Sequence, residues 1–414
     1  MAALLVVCFA ALALVRPYLW QWSSDVPRVR VLHWGEMLGR VTGLSDRFLP
    51  AALVDSAEAI VTAEVRRGAF PGATLAAGRL DHAVLESGIG RIGWGKDALL
   101  ADADETLYDL ASLTKVVATT AAVMALVDDG RMRLDDPVSR YLPTFTGQGR
   151  EKVTIRHLLT HTSGMSPGAV VRGDTPGERL RWWIANARIY DPPGTKVVYS
   201  DGGFMVLGVA VAAAAGMSEG AYLKRRVYGP LGMEHTRFEP GKACKECAPT
   251  LSLKDGTPFR GETNDPLSRK FGGRTGNAGL FSTAHDVGRF AAMIANGGEL
   301  DGVRVLKAAT VREFTRAQPG AGTRALGWEM FCREGTVPDA KGCKTPYAYG
   351  HTGFTGTSLW IDVRRGVWVA LLTNRTFNPR ASNHLQAVRR RIFNVLTATP
   401  PLPSEARDTV ETAR

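Results

Sequence analysis

The sequence predicts an α+β fold, in which an antiparallel sheet is flanked by helices and joined to an all-helical second lobe. Strand-like, glycine-rich runs occupy residues 72–80 and 82–95, and a hairpin-like run occupies 357–374. Helical patterns fill most of the chain between them. Because the strands lie towards both ends of the chain, the simplest packing joins them in one sheet. A cleft between the two lobes would then hold a small-molecule site.

The predicted boundaries place one domain over 51–396, with an α/β lobe at 51–130 and 320–396 and a helical lobe at 131–319. Residues 25–50 are expected to form a connector, and 397–414 a disordered tail. Residues 1–24 are expected to form a signal peptide or a membrane anchor, because they begin with an apolar run shorter than the roughly 20 residues of a membrane span. We therefore expect the protein to be exported, either to the periplasm or anchored in the membrane. The alternative is that the apolar run is a buried N-terminal helix of a cytosolic protein.

Composition is that of a globular protein, with 45% hydrophobic residues and a net charge of +11 over 414 residues. Such a charge favours anionic surfaces, but zinc-finger spacing, an RNP-like motif and long basic runs are missing from the sequence, so nucleic acid is not an expected partner.

Of the five cysteines, Cys8 lies in the apolar leader. The other four predict either two disulfides, Cys244–Cys247 and Cys332–Cys343, or a structural zinc site.

Several helices have recognisable ends. The apolar helix after Ser112 is expected to end near Gly130, and residues 154–164 and 201–218 are each expected to form one helix. Thr283 and Asp286 predict a capping box. A last amphipathic helix is expected over 383–396.

Ser112 and Lys115 stand three residues apart at the start of that apolar helix, so their side chains share one face. A serine hydroxyl needs a nearby base or a positive field before it can attack as an alkoxide. Burial is expected to lower the pKa of Lys115, so that the amine could share or accept the proton. This pair predicts nucleophilic catalysis.

Two further motifs fit the same chemistry. The loop segment YSD holds Tyr199, a candidate general base, and Asp201, a candidate hydrogen-bond partner of Lys115. The segment HTG places His351, Thr352 and Gly353 at the entry to the C-terminal hairpin. Small residues there would let a substrate lie along a strand edge, where backbone N–H groups can stabilise an oxyanion.

SLTK, YSD and HTG, in this order and approximate spacing, resemble the three motifs of class C β-lactamases and penicillin-binding-protein-like serine hydrolases, in particular their esterase-like branch. The resemblance covers about residues 72–396. It implies a β-lactamase/transpeptidase-like fold and acyl transfer without a metal or cofactor. Ser112 would be the nucleophile, Lys115 its proton partner and Tyr199 the base. The N–H groups of Ser112 and Phe354 would form the oxyanion hole, and Asp201, His351, Thr352 and Gly353 would complete the substrate site.

Two departures from the family pattern bear on the substrate. His351 replaces the lysine usual in β-lactamases, and a neutral histidine grips a carboxylate less well than a permanent cation. Asp201 replaces an asparagine that can donate to a substrate amide. Both favour an exported serine hydrolase that cleaves an ester or amide through an acyl-serine intermediate. β-Lactamase or DD-peptidase activity, on cell-wall peptides or β-lactams, is an alternative within the class; a non-catalytic protein that binds cell-wall fragments or acts as a scaffold is another.

Other sequence patterns that could indicate a functional site have weaker support. GMSEG around Ser218 matches the G-x-S-x-G nucleophile elbow, but it follows a helix rather than a strand, and Ser218 is expected to cap the next helix. His157 and His161 have metal-chelating spacing, but hydrogen bonds to backbone are the expected role. Trp328 is expected either to line the cleft or to pack in the core.

Overall fold

The computed structural model describes residues 18–22, 26–31, 49–165, 171–332, 346–378 and 384–402. The described strands, in chain order, are β1 (Tyr18–Trp22), β2 (Pro27–Val31), β3 (Gly72–Arg79), β4 (His82–Gly90), β5 (Tyr108–Asp109), β6 (Arg237–Phe238), β7 (Leu251–Ser252), β8 (Pro258–Phe259), β9 (Leu280–Ser282), β10 (Glu299–Leu300), β11 (Val303–Arg304), β12 (Glu329–Cys332), β13 (Pro346–Thr352), β14 (Ser358–Asp362) and β15 (Val367–Thr373). The described α-helices are α1 (Ala51–Arg66), α2 (Ala121–Asp128), α3 (Ile155–Leu159), α4 (Pro176–Asn186), α5 (Asp201–Ala215), α6 (Glu219–Leu223), α7 (Pro266–Lys270), α8 (Ala284–Ala295), α9 (Ala308–Thr315) and α10 (Leu385–Leu396).

An eight-stranded antiparallel sheet, in the order β1-β2-β4-β3-β15-β14-β13-β12, forms the centre of the protein. β3 from the first half of the chain pairs with β15 from the last part, so both ends meet in the middle of the sheet. The predicted α+β class, with one antiparallel sheet and flanking helices, is confirmed. The predicted hairpin is β14 and β15, with its turn at residues 363–366.

Helices cover both faces of this sheet, because successive side chains of a strand point to opposite faces. Leu75 and Leu371 pack with α1 and α10 on one face. Ala76 and Leu372 pack with α8 on the other. The strand patterns in the centre are therefore apolar on both sides, as a sheet buried between helices requires.

The helical lobe predicted over 131–319 is corrected in two respects. It contains the short strand pairs β7–β8 and β10–β11, which satisfy backbone groups between its helices, so it is not all helical. In addition, α8 packs on the central sheet and therefore belongs to the α/β lobe. Gly288 allows this close approach, since a Cβ there would lie 3.3 Å from the Trp368 ring.

The ends of the domain also differ from the prediction. β2 pairs with β4 at the sheet edge, so part of the predicted connector is a strand, and β1 extends the same edge within the predicted leader region. Residues 397–402, predicted to begin a disordered tail, pack against the sheet, where Arg79 and Arg365 donate to the carbonyls of Pro400 and Thr399. The apolar run of the leader and residues 403–414 lie outside the described residues.

One of the two predicted disulfides, Cys244–Cys247, is present. This bond argues against the alternative of a four-cysteine zinc site. Cys343 and Cys8 lie outside the described residues, so the Cys332–Cys343 pairing stays a prediction.

A buried carboxyl group, that of Glu219, lies between α6 and the helix that follows Ser112. The Thr119 hydroxyl lies 2.7 Å from Glu219 Oε1 and 2.7 Å from the carbonyl oxygen of Gly276. One hydroxyl proton cannot serve two acceptors, so both contacts are satisfied only when Glu219 is protonated and donates to Thr119. Burial accordingly raises the pKa of Glu219 to about 7.

We expect Glu219→Gln to remove a pH-dependent destabilisation. Between the ordinary pKa of 4.5 and about 7, the folded protein keeps a proton that the unfolded chain has lost, so stability falls as pH rises through this window. A glutamine amide donates to Thr119 without this effect. The difference in unfolding free energy between variant and wild type should therefore grow by up to about 3 kcal/mol from pH 4.5 to pH 8, measured by urea denaturation. The exposed Glu105→Gln is the matched control; a difference that does not change with pH would contradict the assignment.

Candidate active site

Ser112 lies in a constrained turn that begins the buried helix. Ala111, just before it, has a positive φ of 46°, a strained backbone for a non-glycine residue. The buried Asp109 carboxylate supports this turn by accepting a hydrogen bond of 2.9 Å from the Ala111 N–H. The chain continues through a 3₁₀ turn (Ala111–Leu113) and a π-helical stretch (Lys115–Thr120) into α2. Gly130 follows the end of α2 with a φ of 69°, as predicted for a helix C-cap.

Lys115 is fully buried, and its ammonium group is surrounded by acceptors. Its Nζ atom donates to Ser112 Oγ at 3.2 Å, to Asp201 Oδ1 at 2.7 Å and to the Asn277 carbonyl at 3.1 Å. These three acceptors match the three protons of a charged lysine. The predicted contacts of Lys115 with Ser112 and Asp201 are both present.

The predicted direction of the Lys115 pKa shift is wrong. Burial lowers the pKa and is the largest single effect, but the charges and hydrogen bonds of Tyr199 and Asp201 together outweigh it, so the pKa is raised. The lysine therefore remains an ammonium at neutral pH. In that form it can hold and polarise the Ser112 oxygen.

Tyr199 lies beside the same ammonium group. Its ring centroid is 4.9 Å from Lys115 Nζ, and the ring packs on His161 at 4.5 Å between centroids. Tyr199 is 36% exposed, so part of this residue is open to solvent. The position of Tyr199 follows from the local sequence. Ser200 caps α5 by accepting a hydrogen bond from the Gly203 N–H. Tyr199 therefore lies in the loop before the helix, and Asp201 is the first helical residue.

His161 supports this loop through a hydrogen bond to backbone. The helix predicted over 154–164 ends at Leu159, and His161 has a positive φ of 58°. Its Nδ1 accepts a hydrogen bond of 3.1 Å from the Ser200 N–H, and burial holds the pKa of His161 well below its usual value. His157 Nδ1 accepts from the Thr154 N–H at 3.2 Å. Both histidines thus make the expected backbone hydrogen bonds.

The third motif lies at the end of β13. His351 is buried, and its Nδ1–H donates to the Thr352 carbonyl at 2.8 Å. Burial, and then the positive charges of Lys115 and Arg324, hold the pKa of His351 well below its usual value. The imidazole is neutral, as expected, and its ring centroid lies 6.2 Å from that of Tyr199.

The loop after Thr352 is fastened to the chain just before Ser112. Thr355 Oγ1 donates to the Asp109 carbonyl at 2.6 Å, and Thr357 Oγ1 donates to the Leu110 carbonyl at 2.8 Å. Gly353 is required here, because a Cβ would collide with the Leu110 carbonyl oxygen. Phe354, whose N–H is the predicted oxyanion donor, follows at an exposed position. The three motifs therefore meet around Ser112.

Sequence reasoning missed one charged group of this site, Arg324. Its guanidinium carbon lies 5.6 Å from the centroid of the Tyr199 ring. Its Nη1 atom is buried and donates to no partner among the described residues. Arg324 lies in a loop before β12 and belongs to no pattern, so the sequence offers no signal for it.

The rival sites have structural roles. Ser218 caps α6 by accepting from the Ala221 N–H, as expected. Trp328 is fully buried and packs edge-on against Tyr349 in the core, so it does not line the cleft. A cluster of metal-ligand types, Glu86, Asp104 and His285, includes none of the site residues. A hydrogen bond of 2.6 Å between His285 Nδ1 and Glu86 Oε1 accounts for it.

Comparisons with known proteins agree with this architecture. The profile of the family described as Beta-lactamase matches residues 57–391. A Salmonella agona protein named "Putative D-alanyl-D-alanine carboxypeptidase" is 32% identical over 307 residues, which cover 67% of this chain and 71% of that protein.

Solved structures share the fold. A beta-lactamase/D-alanine carboxypeptidase from Pseudomonas syringae has a TM-score of 0.67 at 19% identity and covers 84% of this chain and 100% of its own. EstCE1, described as a hydrolase with promiscuous acyltransferase activity, has a TM-score of 0.64 at 23% identity and covers 83% of this chain and 98% of its own. With the family profile spanning most of the domain and the Ser-x-x-Lys, Tyr-Ser-Asp and His-Thr-Gly motifs brought together, the chain belongs to the beta-lactamase family and is a serine hydrolase.

Proposed function

We propose that this enzyme is a carboxypeptidase-type acyl-serine hydrolase, whose substrate is a peptide that ends in a free carboxylate, such as a D-alanyl-D-alanine peptide. The observation that carries the proposal is the buried guanidinium N–H of Arg324 beside Tyr199, which has no partner in the part of the chain that the structure describes. Arginine is suited to carboxylate recognition, because its planar group can donate two parallel hydrogen bonds.

In the first step, Ser112 Oγ attacks the scissile carbonyl carbon and forms the acyl bond. The serine proton passes to the Tyr199 oxygen, a role that requires the phenolate form of Tyr199, and the Lys115 Nζ atom, 4.9 Å from the centroid of its ring, would stabilise that charge. The N–H groups of Ser112 and Phe354 stabilise the oxyanion. The C–N bond then breaks, and Tyr199 returns the proton to the leaving amine.

In the second step, water attacks the acyl-serine. Tyr199 accepts a proton from the water and passes it to the Ser112 oxygen as that oxygen leaves the acyl carbon. The carboxyl-terminal amino acid is the first product and the shortened peptide is the second. Lys115 stays charged throughout and stabilises the negative charge that develops on Ser112 Oγ and on the Tyr199 oxygen.

The substrate class differs from the ester expected from His351 alone. The ester was expected because the third motif has a neutral histidine, His351, where β-lactamases usually have a lysine cation. Arg324 supplies a permanent cation from a different loop, so a substrate carboxylate would have a partner. The 32%-identical Salmonella agona relative is named for D-alanyl-D-alanine, which ends in such a carboxylate.

We expect Arg324→Gln to discriminate between substrates. For an acyl-D-alanyl-D-alanine peptide, kcat/KM should fall about 10- to 100-fold, since a hydrogen bond to a charged group contributes roughly 1.5–3 kcal/mol. For p-nitrophenyl acetate, which lacks a carboxylate, the change should stay within about threefold. D-Alanine release and nitrophenolate absorbance measure the two rates.

Arg316→Gln is the matched control, because this arginine is half-exposed and pairs with Glu313 instead. Equal losses on both substrates would indicate a general structural role for Arg324. Failure of the wild type to release D-alanine while it hydrolyses the ester would leave the serine hydrolase intact and reject the proposed substrate.

We also propose that the enzyme acts outside the cytoplasm. The Cys244–Cys247 disulfide supports this, because thiols are kept reduced in the cytosol, and the apolar leader supports it independently. Cell fractionation tests it: recovery of the chain in the cytosolic fraction would contradict export.

A further inference from the structure

The buried arginine of the C-terminal helix, Arg389, has no part in the mechanism above. It belongs to the basic run Arg389, Arg390 and Arg391, of which the last two are exposed to solvent. Arg389 is only 7% exposed. No carboxylate partner is found for it among the described residues, and its Nε atom has none of any kind there. Because burial of an unpaired guanidinium is costly, its contacts require an explanation.

Those contacts are with the loop of the third motif. Arg389 Nη2 donates to the Thr357 carbonyl at 2.8 Å and to the Gly353 carbonyl at 3.2 Å. Burial and the nearby charge of Arg375 lower the pKa of Arg389 to about 9, so the group is still a cation at neutral pH. A positive charge from α10 therefore rests on two carbonyl oxygens of the loop that carries Phe354.

The Gly353 carbonyl belongs to the same peptide group as the Phe354 N–H. In a trans peptide the C=O and the N–H point in opposite directions, and this peptide is trans. Holding the carbonyl towards α10 therefore turns the N–H away from α10. The same loop is fastened by Thr355 and Thr357 to the carbonyls of Asp109 and Leu110, immediately before Ser112.

A cation bound to a peptide carbonyl also polarises the peptide, which makes its N–H a stronger donor. We propose that Arg389 is a positioning residue of the oxyanion hole, which orients and polarises the Phe354 N–H through the Gly353 carbonyl. The inference rests on the proposed acyl-serine chemistry, but not on the proposed substrate, because it concerns the scissile carbonyl alone.

The test compares an ester with its thionoester, in which sulfur replaces the carbonyl oxygen. Sulfur is a weak hydrogen-bond acceptor, so the rate ratio of ester to thionoester reports the contribution of oxyanion donors. In Arg389→Met, kcat for the ester should fall about 10- to 30-fold with KM nearly unchanged, and the ratio should fall by about the same factor, within the range known for oxyanion donors. Arg389→Lys, which keeps a charged donor, should restore the ratio to within about threefold of wild type.

Arg390→Met is the matched control, since it removes an exposed arginine from the same helix, and its ratio should not change. Equal slowing of ester and thionoester by Arg389→Met would overturn the proposal and leave Arg389 as a structural anchor of the loop. If that variant does not fold, Arg389→Gln takes its place, and an unchanged ratio in it would also overturn the proposal. A wild type that hydrolyses neither the ester nor the thionoester would instead reject the acyl-serine chemistry itself.

Discussion

Ser112→Ala should abolish hydrolysis of every substrate, with a loss of at least about 10⁴-fold in kcat, because no acyl intermediate can form without its oxygen. A fluorophosphonate probe should label the wild type covalently, and the label should vanish in the variant. The substitution removes one acceptor of Lys115 and keeps the other two, on Asp201 and Asn277, so the fold should persist. Labelling followed by mass spectrometry of the modified peptide checks the result.

Ser218→Ala is the matched control, because Ser218 lies in the rival G-x-S-x-G pattern. It should keep full labelling and activity, with a stability loss of about 1 kcal/mol from its role as a helix cap. A label that survives in Ser112→Ala and disappears in Ser218→Ala would reject the assignment. An unlabelled, inactive wild type would support the alternative of a non-catalytic binding protein.

Tyr199→Phe should lower kcat about 10²- to 10⁴-fold, the range expected for loss of a general base. The phenyl ring keeps the contact with His161 and the positions under Lys115 and Arg324, so only the hydroxyl group is lost. Lys115 is not expected to replace it, because the pKa of Lys115 is raised and its ammonium donates to Ser112 and Asp201. Steady-state kinetics on an ester and a peptide measure the effect.

Tyr190→Phe removes the same atom from an exposed tyrosine nine positions earlier and should change kcat by less than about twofold. If Tyr199→Phe retained kcat within about threefold of wild type, another group would be the base. If KM rose while kcat stayed unchanged, Tyr199 would bind substrate without transferring a proton.

The spacing of Ser112 and Lys115 was enough to predict their contact, because three residues along a helix bring side chains to one face. The YSD segment predicted a hydrogen bond between Asp201 and Lys115, and that contact is present across 86 positions of sequence. The pKa of Lys115 could not be predicted locally. The direction of the pKa shift depends on how closely Tyr199 and Asp201, from a distant loop, approach the ammonium group. Their effect outweighs that of burial.

Arg324 and Arg389 show two different limits of sequence reasoning. Arg324 is a single arginine in an irregular loop, and only the packing of that loop against Tyr199 gives it a role. Arg389 did leave a signal: it lies four residues after Leu385 and three before Ile392, on the apolar face of the helix. A charged residue on a buried face indicates a specific polar partner, although not which one.

The sequence by itself determined the fold class, the order of the three motifs and the pairing of Ser112 with Lys115, because these depend on periodicity and on short spacings along one chain. Only the tertiary structure decided that the pKa of Lys115 is raised, that Arg324 lies beside Tyr199 and that α10 reaches the loop of Phe354. Each of these depends on distances between segments far apart in sequence, and electrostatic interactions in a buried site change steeply with such distances.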